Sequence, residues 1–298
     1  MYYLWKMHKS GFINIIGNPN VGKSTLMNCF MGEKFSIITS KAQTTRHRIL
    51  GIVNGEDFQL VFSDTPGILK PSYELQDSMM DFVKNALEDA DIIIYMLEIG
   101  ETSIKNNQVH KKILNANVPT FILLNKIDLS DQKNLEDQVI LWKELYPKAI
   151  VYPISALNNF NIDIVLKHLI ELIPQSPPYF PKDQLTDKPE RFFVNEILRE
   201  KILLYYNKEI PYSVEVVTED FKEEDNIIKI KSVIFVERDS QKGIIIGHKG
   251  SALKKIGTKA RQGLELFFGK KIYIELQVKV SKNWRSNAKL LKKFGYKN

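Results

Sequence analysis

Through residue 175 the chain alternates two hydrophobic patterns. Short, mostly apolar runs recur at Phe12–Ile16, Leu60–Phe62, Ile92–Leu97, Phe121–Leu124 and Ile150–Ile154. Runs this short and this apolar predict strands buried on both faces, as in a parallel sheet. Between them lie segments with apolar residues three and four apart. These include Thr25–Met31, Leu75–Leu87, Gln108–Leu114 and Ile164–Leu172, and they predict helices. Strand alternating with helix is the rhythm of an open, doubly wound α/β sheet. Arg48–Val53 and Phe58–Phe62 break the rhythm. They flank Asn54-Gly55, a hairpin turn signal, and so predict one antiparallel edge strand in a mostly parallel sheet.

The pattern changes after residue 175. Pro174, Pro177, Pro178, Pro181 and Pro189 punctuate a polar stretch, and proline at that density cannot continue a helix. Three regions follow: a first domain over 1–175, a linker over 176–189 and a second domain over 190–298. The second domain reads as helix (Glu190–Tyr205), strand (Tyr212–Thr218), strand (Ile227–Val236) and a short helical turn. A Gly-rich loop (Gly247–Gly250), a helix (Ser251–Phe267), a strand (Lys271–Val280) and a basic tail complete it. This is a smaller α+β arrangement.

Charge separates the halves further. Residues 1–175 carry 17 basic and 19 acidic side chains, net −2, whereas residues 176–298 carry 25 and 16, net +9. Residues 242–298 alone hold 15 basic and 2 acidic residues, net +13. A near-neutral half joined to a strongly basic one points to a polyanion partner for the second, although a solvated basic face would give the same count. No apolar run approaches the ~18–20 residues of a membrane helix. The N-terminus has no secretory pattern, and Met7 is an alternative start. Cys29 is the only cysteine, so neither an internal disulfide nor a cysteine zinc site is expected, and a reduced cytoplasmic setting fits.

The strongest chemical signal is the loop Gly17, Asn18, Pro19, Asn20, Val21, Gly22, Lys23, Ser24, spaced as G-x-x-x-x-G-K-[ST] between a strand and a helix that opens at Thr25. Its amides can converge on a phosphate at a helix N-terminus. Lys23 can bridge the β- and γ-phosphates, and the Ser24 hydroxyl can ligate Mg²⁺. Asp64, Thr65, Pro66 and Gly67 follow the next strand. Asp64 is a Mg²⁺ partner there, and the Gly67 amide can sense a γ-phosphate. Asn125, Lys126 and Asp128 match N-K-x-D. The carboxylate can accept from guanine N1–H and the 2-amino group, donors that adenine lacks. Ser155 and Ala156 supply a fifth element for guanine O6. The polar stretch Ile37–Ile49 reads as a switch loop. Thr45, with Thr44 the fallback, would complete Mg²⁺ coordination. Lys23, Thr45 and Gly67 are the candidate catalytic groups.

Together GNPNVGKSTLMN, KAQTTRHRI, SDTPGI, NKID, SAL and IIIGHKGSALKKIG resemble the Era family of bacterial GTPases, within the TrmE–Era–EngA–YihA–Septin-like class. The resemblance covers nearly the whole chain. It implies a P-loop NTPase fold followed by a type II KH domain, with GTP hydrolysed to GDP and phosphate. It places Ile68 where Ras-like enzymes have a water-orienting glutamine, so slow intrinsic hydrolysis is implied. Asn20 stands at the position that holds K⁺ in relatives. The implied partners are the 3′ end of 16S ribosomal RNA and the small ribosomal subunit during its maturation. Peripheral contact with the cytoplasmic membrane and a monomeric state are also expected.

In the basic half, Gly247, His248, Lys249 and Gly250 form the GxxG loop of a KH domain, whose glycines let RNA backbone approach closely. Lys254, Lys255, Lys259 and Arg261 extend the basic surface as a stripe along the next helix. Trp284, Phe294 and Tyr296 in the tail can stack on bases, dock as a helix on the KH domain, or lie against anionic lipid. Two other functions stay open: a passive RNA-binding assembly factor with a structural guanine nucleotide, and an ATPase.

Overall fold

The computed structural model describes residues 8–33, 35–41, 43–104 and 106–297; the alternative start at Met7 lies outside them. The chain forms two compact units. The first contains the chain up to Ile38, then Thr45–Lys70 and Met79–Asp187. The second contains Thr39–Thr44, Pro71–Ser78 and the chain from Lys188 onward.

The first unit is built from β1 (Lys9–Gly17), α1 (Lys23–Met31), β2 (Ile49–Asn54), β3 (Phe58–Asp64), α2 (Glu74–Glu88), β4 (Ile92–Glu98), α3 (Asn107–Leu114), β5 (Thr120–Asn125), α4 (Gln132–Leu145), β6 (Ile150–Pro153) and α5 (Ile162–Leu172). The sheet order is β2-β3-β1-β4-β5-β6. Only β2 runs antiparallel to its neighbour, as the Asn54-Gly55 turn requires. Side chains alternate across the strands. On β4, Ile92, Ile94 and Met96 pack with Leu26 and Val165, while Ile93, Tyr95 and Leu97 pack with Val83, Val109 and Trp142. Both faces are covered, and this explains the nearly continuous apolar runs. Helix α4 has no counterpart among the expected helices. Gln138 and Trp142 are its buried residues, too few to give a clear apolar stripe.

The proline-rich segment is held against the first unit. The Tyr179 and Phe180 amides donate to Gln59 Oε1 at 2.8 and 3.0 Å. Thr186 bridges Gly51, and its hydroxyl donates to the Leu50 carbonyl at 2.7 Å. An open sheet edge, which would otherwise expose unpaired backbone groups, is partly covered in this way.

The second unit comprises α6 (Glu190–Tyr205), α7 (Ile210–Ser213), β7 (Glu215–Glu223), β8 (Ile227–Val236), α8 (Asp239–Ile246), α9 (Ser251–Phe268), β9 (Lys271–Val280) and α10 (Ala288–Lys293). Its sheet runs β7-β8-β9, with β7 antiparallel and β9 parallel to β8. Val194, Leu198, Val216, Ile234, Ile256 and Leu264 share its core. The strand expected from Tyr212 begins only at Glu215, because Pro211 starts a helical turn there.

The tail takes the docked alternative and not the base-stacking one. Trp284 is fully buried and donates its indole N–H to the Ser213 carbonyl at 2.9 Å. Phe294 packs on Phe235, and Tyr296 donates to Glu215 at 2.8 Å. These aromatics close the core of the second unit and are not stacking platforms for bases. Lys289, Lys292 and Lys293 remain exposed. Among the described residues, no helix is long and apolar enough to cross a membrane.

Candidate nucleotide site and RNA groove

β1, β3 and β5 end at Gly17, Asp64 and Asn125, so the motifs that follow them gather at one edge of the sheet. Ligands bind at the carboxyl ends of the strands in open parallel sheets. The loop from Asn18 to Gly22 leads into α1 without a break, and Lys23 is the first helical residue. Its ammonium is folded back onto the loop, donating to the carbonyls of Gly17 at 3.1 Å and Asn18 at 2.8 Å. Burial pulls its pKa down to about 8, against the opposing pull of Asp64 and Glu101. A buried ammonium held only by carbonyls is poised for a stronger anion.

Three oxygens converge beside it. Ser24 Oγ donates to Asp64 Oδ2 at 2.7 Å and lies 2.9 Å from Thr45 Oγ1, which in turn donates to Asp64 at 3.4 Å. Asp64 is completely buried, and its Oδ1 has no hydrogen-bond partner; neither has the hydroxyl of Ser36. Burial pushes the Asp64 carboxyl above its usual range, opposed by the Ser24 bond and the Lys23 charge. Two hydroxyls and a buried carboxylate with one orphaned oxygen are the hard donors that suit Mg²⁺. Of the two switch threonines, Thr45 reaches this set. Thr44 instead bonds to Thr39 and to the Lys41 carbonyl, both at 2.6 Å. Gly67 lies directly against the phosphate loop, where a Cβ would come within 2.7 Å of Pro19 Cα. Thr65 anchors the same turn to the Ile15 carbonyl at 2.7 Å. Pro66 is buried within that turn, while Asn20 is exposed at the phosphate loop in a left-handed conformation.

The base-recognition loops are tied together. Asn125 is buried; its amide donates to the Val21 carbonyl at 2.8 Å and its Oδ1 accepts from the Ala156 amide at 2.9 Å. Ser155 donates to Asp128 at 2.5 Å, leaving the carboxylate exposed and aligned. Two residues beyond the expected set stand here. Glu98 pairs with Lys126 at 2.7 Å, and Glu101 accepts from Asn18 at 2.5 Å. Glu98 ends β4 and Glu101 follows it, positions that no fixed motif marks.

In the second unit, Gly247 lies at φ 71°, ψ 178°, a region essentially restricted to glycine. A Cβ there would also meet Ala252 at 2.6 Å. His248 and Lys249 are exposed at the tip of the loop. Behind it runs a groove of about 470 Å³. Gly250, Leu253, Lys254, Gly257, Thr258 and Arg261 line one wall, and Ile272, Tyr273, Ile274 and Leu276 the other. Lys254 therefore lines the groove, whereas Lys255 turns onto α6, its ammonium 4.7 Å over the Tyr205 ring. Arg261 belongs to the basic stripe that the sequence shows on this helix, whereas Tyr273 escapes sequence reasoning because its place depends on how α9 crosses β9.

These features define a P-loop GTPase followed by a KH module. Residues 12–126 match the family described as 50S ribosome-binding GTPase, and residues 209–285 match the KH domain. GTPase Era of Staphylococcus haemolyticus is 43% identical over 291 residues, covering 97% of each chain. GTPase Era of Syntrophus aciditrophicus is 46% identical, covering 97% of this chain and 96% of its own. The chain belongs to the Era family of GTPases. A crystal structure of Era with MgGDPNP and nucleotides 1506–1542 of 16S ribosomal RNA superposes with a TM-score of 0.92 at 39% identity, covering 98% of this chain and all of the other. An Era variant from Aquifex aeolicus bound to GDP and aluminium fluoride matches equally well, with a TM-score of 0.92 at 39% identity over 97% of this chain and all of its own.

Proposed function

We propose that this chain binds GTP, hydrolyses it to GDP and phosphate, and holds the 3′ end of 16S ribosomal RNA through its KH groove during maturation of the small ribosomal subunit. The convergence of Lys23, Ser24, Thr45 and Asp64 at the strand edge that also carries Asn125 and Asp128 is the observation that carries this reading.

The loop amides from Asn18 to Thr25 hold the phosphates, and Lys23 exchanges its two carbonyl partners for β- and γ-phosphate oxygens. Ser24, Thr45 and Asp64 hold Mg²⁺, which when bound neutralises charge developing on the phosphate oxygens. Gly67 brings its backbone up to the γ-phosphate. Ile68, which follows it, is buried and apolar, so its side chain cannot orient an attacking water. Turnover by the isolated protein is therefore slow and depends on how well the switch segment is held. Asn20 is the residue that would hold K⁺. Cytoplasmic location, a monomeric state and peripheral contact with the membrane belong to the same reading.

Asp128 provides the check on the base. Replacing it with asparagine should keep an acceptor for purine N1–H but set a donor opposite C2, where guanine has an amino group and xanthine a carbonyl. The Asp128→Asn chain should lose GTP affinity by about 10²-fold and gain affinity for xanthosine triphosphate, as competition against fluorescent GDP would measure. Unchanged preference for GTP would place guanine recognition elsewhere.

A further inference from the structure

Strand β4 ends at the same edge of the sheet as β1 and β5, and it brings two carboxylates, Glu98 and Glu101, to a site read as holding a triphosphate. Bare carboxylates there would repel the ligand. Both are engaged instead. Glu101 Oε2 accepts from the Asn18 side-chain amide at 2.5 Å, and Glu98 Oε2 pairs with the Lys126 ammonium at 2.7 Å. Their partners lie in two different loops. Asn18 belongs to the phosphate loop, where its carbonyl takes the Lys23 ammonium at 2.8 Å. Lys126 belongs to the base loop and holds φ 65°, ψ 34°, an uncommon conformation for a lysine and one that recurs at binding sites.

The turn that carries the two carboxylates is braced from several sides. The Glu101 amide donates to the Glu98 carbonyl at 3.1 Å, and the Glu98 amide donates to Glu101 Oε1 at 3.1 Å. Gly100 stands between them at φ 95°, where a residue with a side chain would be strained. The Ile99 amide donates to the Asn125 carbonyl at 2.9 Å. The Glu101 carbonyl accepts from the indole N–H of Trp142, a fully buried residue of α4, at 3.1 Å. All of these residues belong to the first unit. The Lys126 and Glu98 side chains are 30% and 40% exposed, and an ion pair that open to water adds little to stability. What it does fix is where the lysine points.

We propose that Glu98 and Glu101 are positioning residues of the nucleotide site: through one braced turn, Glu101 fixes the Asn18 end of the phosphate loop and Glu98 fixes the Lys126 side chain, so that the turn sets the distance between the phosphate grip and the base grip. This rests on the reading of both loops as the guanine nucleotide site. The Asn125 side chain already ties the two loops at the Val21 carbonyl. The turn after β4 ties them a second time, at Asn18. A nucleotide that meets two grips already spaced for it loses less binding free energy to ordering than one that must draw them together.

The test uses the full chain with Glu98→Ala, with Glu101→Ala and with both, and reads KM and kcat for GTP in Mg²⁺ buffer from phosphate release. Where chemistry is slow, KM reports the affinity itself. Lys126 would lie on the base, which is held alike before and during the reaction. Glu98→Ala should therefore raise KM about tenfold, the range of one charge-assisted hydrogen bond, and leave kcat unchanged. Glu101→Ala should raise KM by a similar factor and also lower kcat, because Asn18 carries a carbonyl that places Lys23. The double variant should lose less affinity than the product of the two single losses, since both carboxylates act through one turn. The melting temperature without nucleotide should stay at the wild-type value. Folded single variants with the wild-type KM, or losses that simply multiply, overturn the proposal. So does a fall in melting temperature with KM unmoved, the mark of a merely structural role. If circular dichroism shows an alanine chain unfolded, Glu98→Gln and Glu101→Gln, which keep the size of the side chain and remove its charge, are measured by the same criteria. A wild type with no measurable affinity for GTP would instead defeat the reading of the two loops as a nucleotide site.

Discussion

Phosphate release from GTP should fall by at least ~10³-fold when Lys23 is replaced with alanine, a loss at the upper end of those caused by removing one preorganised donor. The ammonium sits at the mouth of α1, almost fully buried, and satisfies itself on the Gly17 and Asn18 carbonyls. Those neutral acceptors are weaker than phosphate oxygens, so nucleotide binding exchanges them for bonds between opposite charges. Burial has already pulled the Lys23 pKa down to about 8, a sign that its charge is poorly solvated in the free protein. The alanine chain should therefore keep its fold, with an unchanged circular dichroism spectrum and a melting temperature no lower than that of the wild type. Its defect should appear in single-turnover phosphate release and in the affinity for GTP. A folded Lys23→Ala chain that hydrolyses GTP at the wild-type rate would remove the phosphate loop from the mechanism.

The second large effect concerns RNA. Changing His248 and Lys249 together to aspartate should weaken binding of a 16S 3′-end fragment by about 10²-fold or more, and reduce the slope of log affinity against log salt by about 1. Both side chains project from the exposed tip of the loop, so the substitutions leave the core of the KH module untouched. The substitutions would set two negative charges where RNA phosphates approach. GDP binding should be unaffected. Filter binding across a salt series reads both quantities, and an unchanged affinity would remove the loop from the RNA interface.

The motifs that were legible in the sequence are those whose chemistry is local. A phosphate cradle must be built from consecutive amides, so Gly17 to Ser24 announces itself by spacing. The same holds for Asn125 to Asp128 and for Gly247 to Gly250. Strands buried on both faces show as apolar runs, and their ends matched the sheet to within a few residues. What stayed hidden depends on distant partners. Nothing near Arg199 in sequence shows that it serves the carbonyls of Gln43 and Thr44, more than 150 positions earlier. The prolines from Pro174 to Pro189 read as a linker by composition, and the hydrogen bonds of Tyr179 and Thr186 to the first unit leave no local mark. Trp284, Phe294 and Tyr296 lie among lysines and so look like a nucleic-acid surface. Their burial follows from the incomplete core around α7 and β7, which only the folded chain reveals. Lys255 looks equivalent to Lys254, but one step around a helix is about 100°, enough to turn it from the groove to Tyr205.

Steady-state phosphate release by the wild-type chain, with GTP or ATP and with the 16S 3′-end fragment titrated in, tests whether a slow guanine nucleotide hydrolase here answers to RNA. The expected result is slow release from GTP, acceleration as RNA saturates, and no release from ATP. Release from GTP no faster than in Lys23→Ala and Asp64→Ala chains, at every RNA concentration, would contradict it and leave a passive RNA-binding protein that carries its nucleotide as a structural ligand.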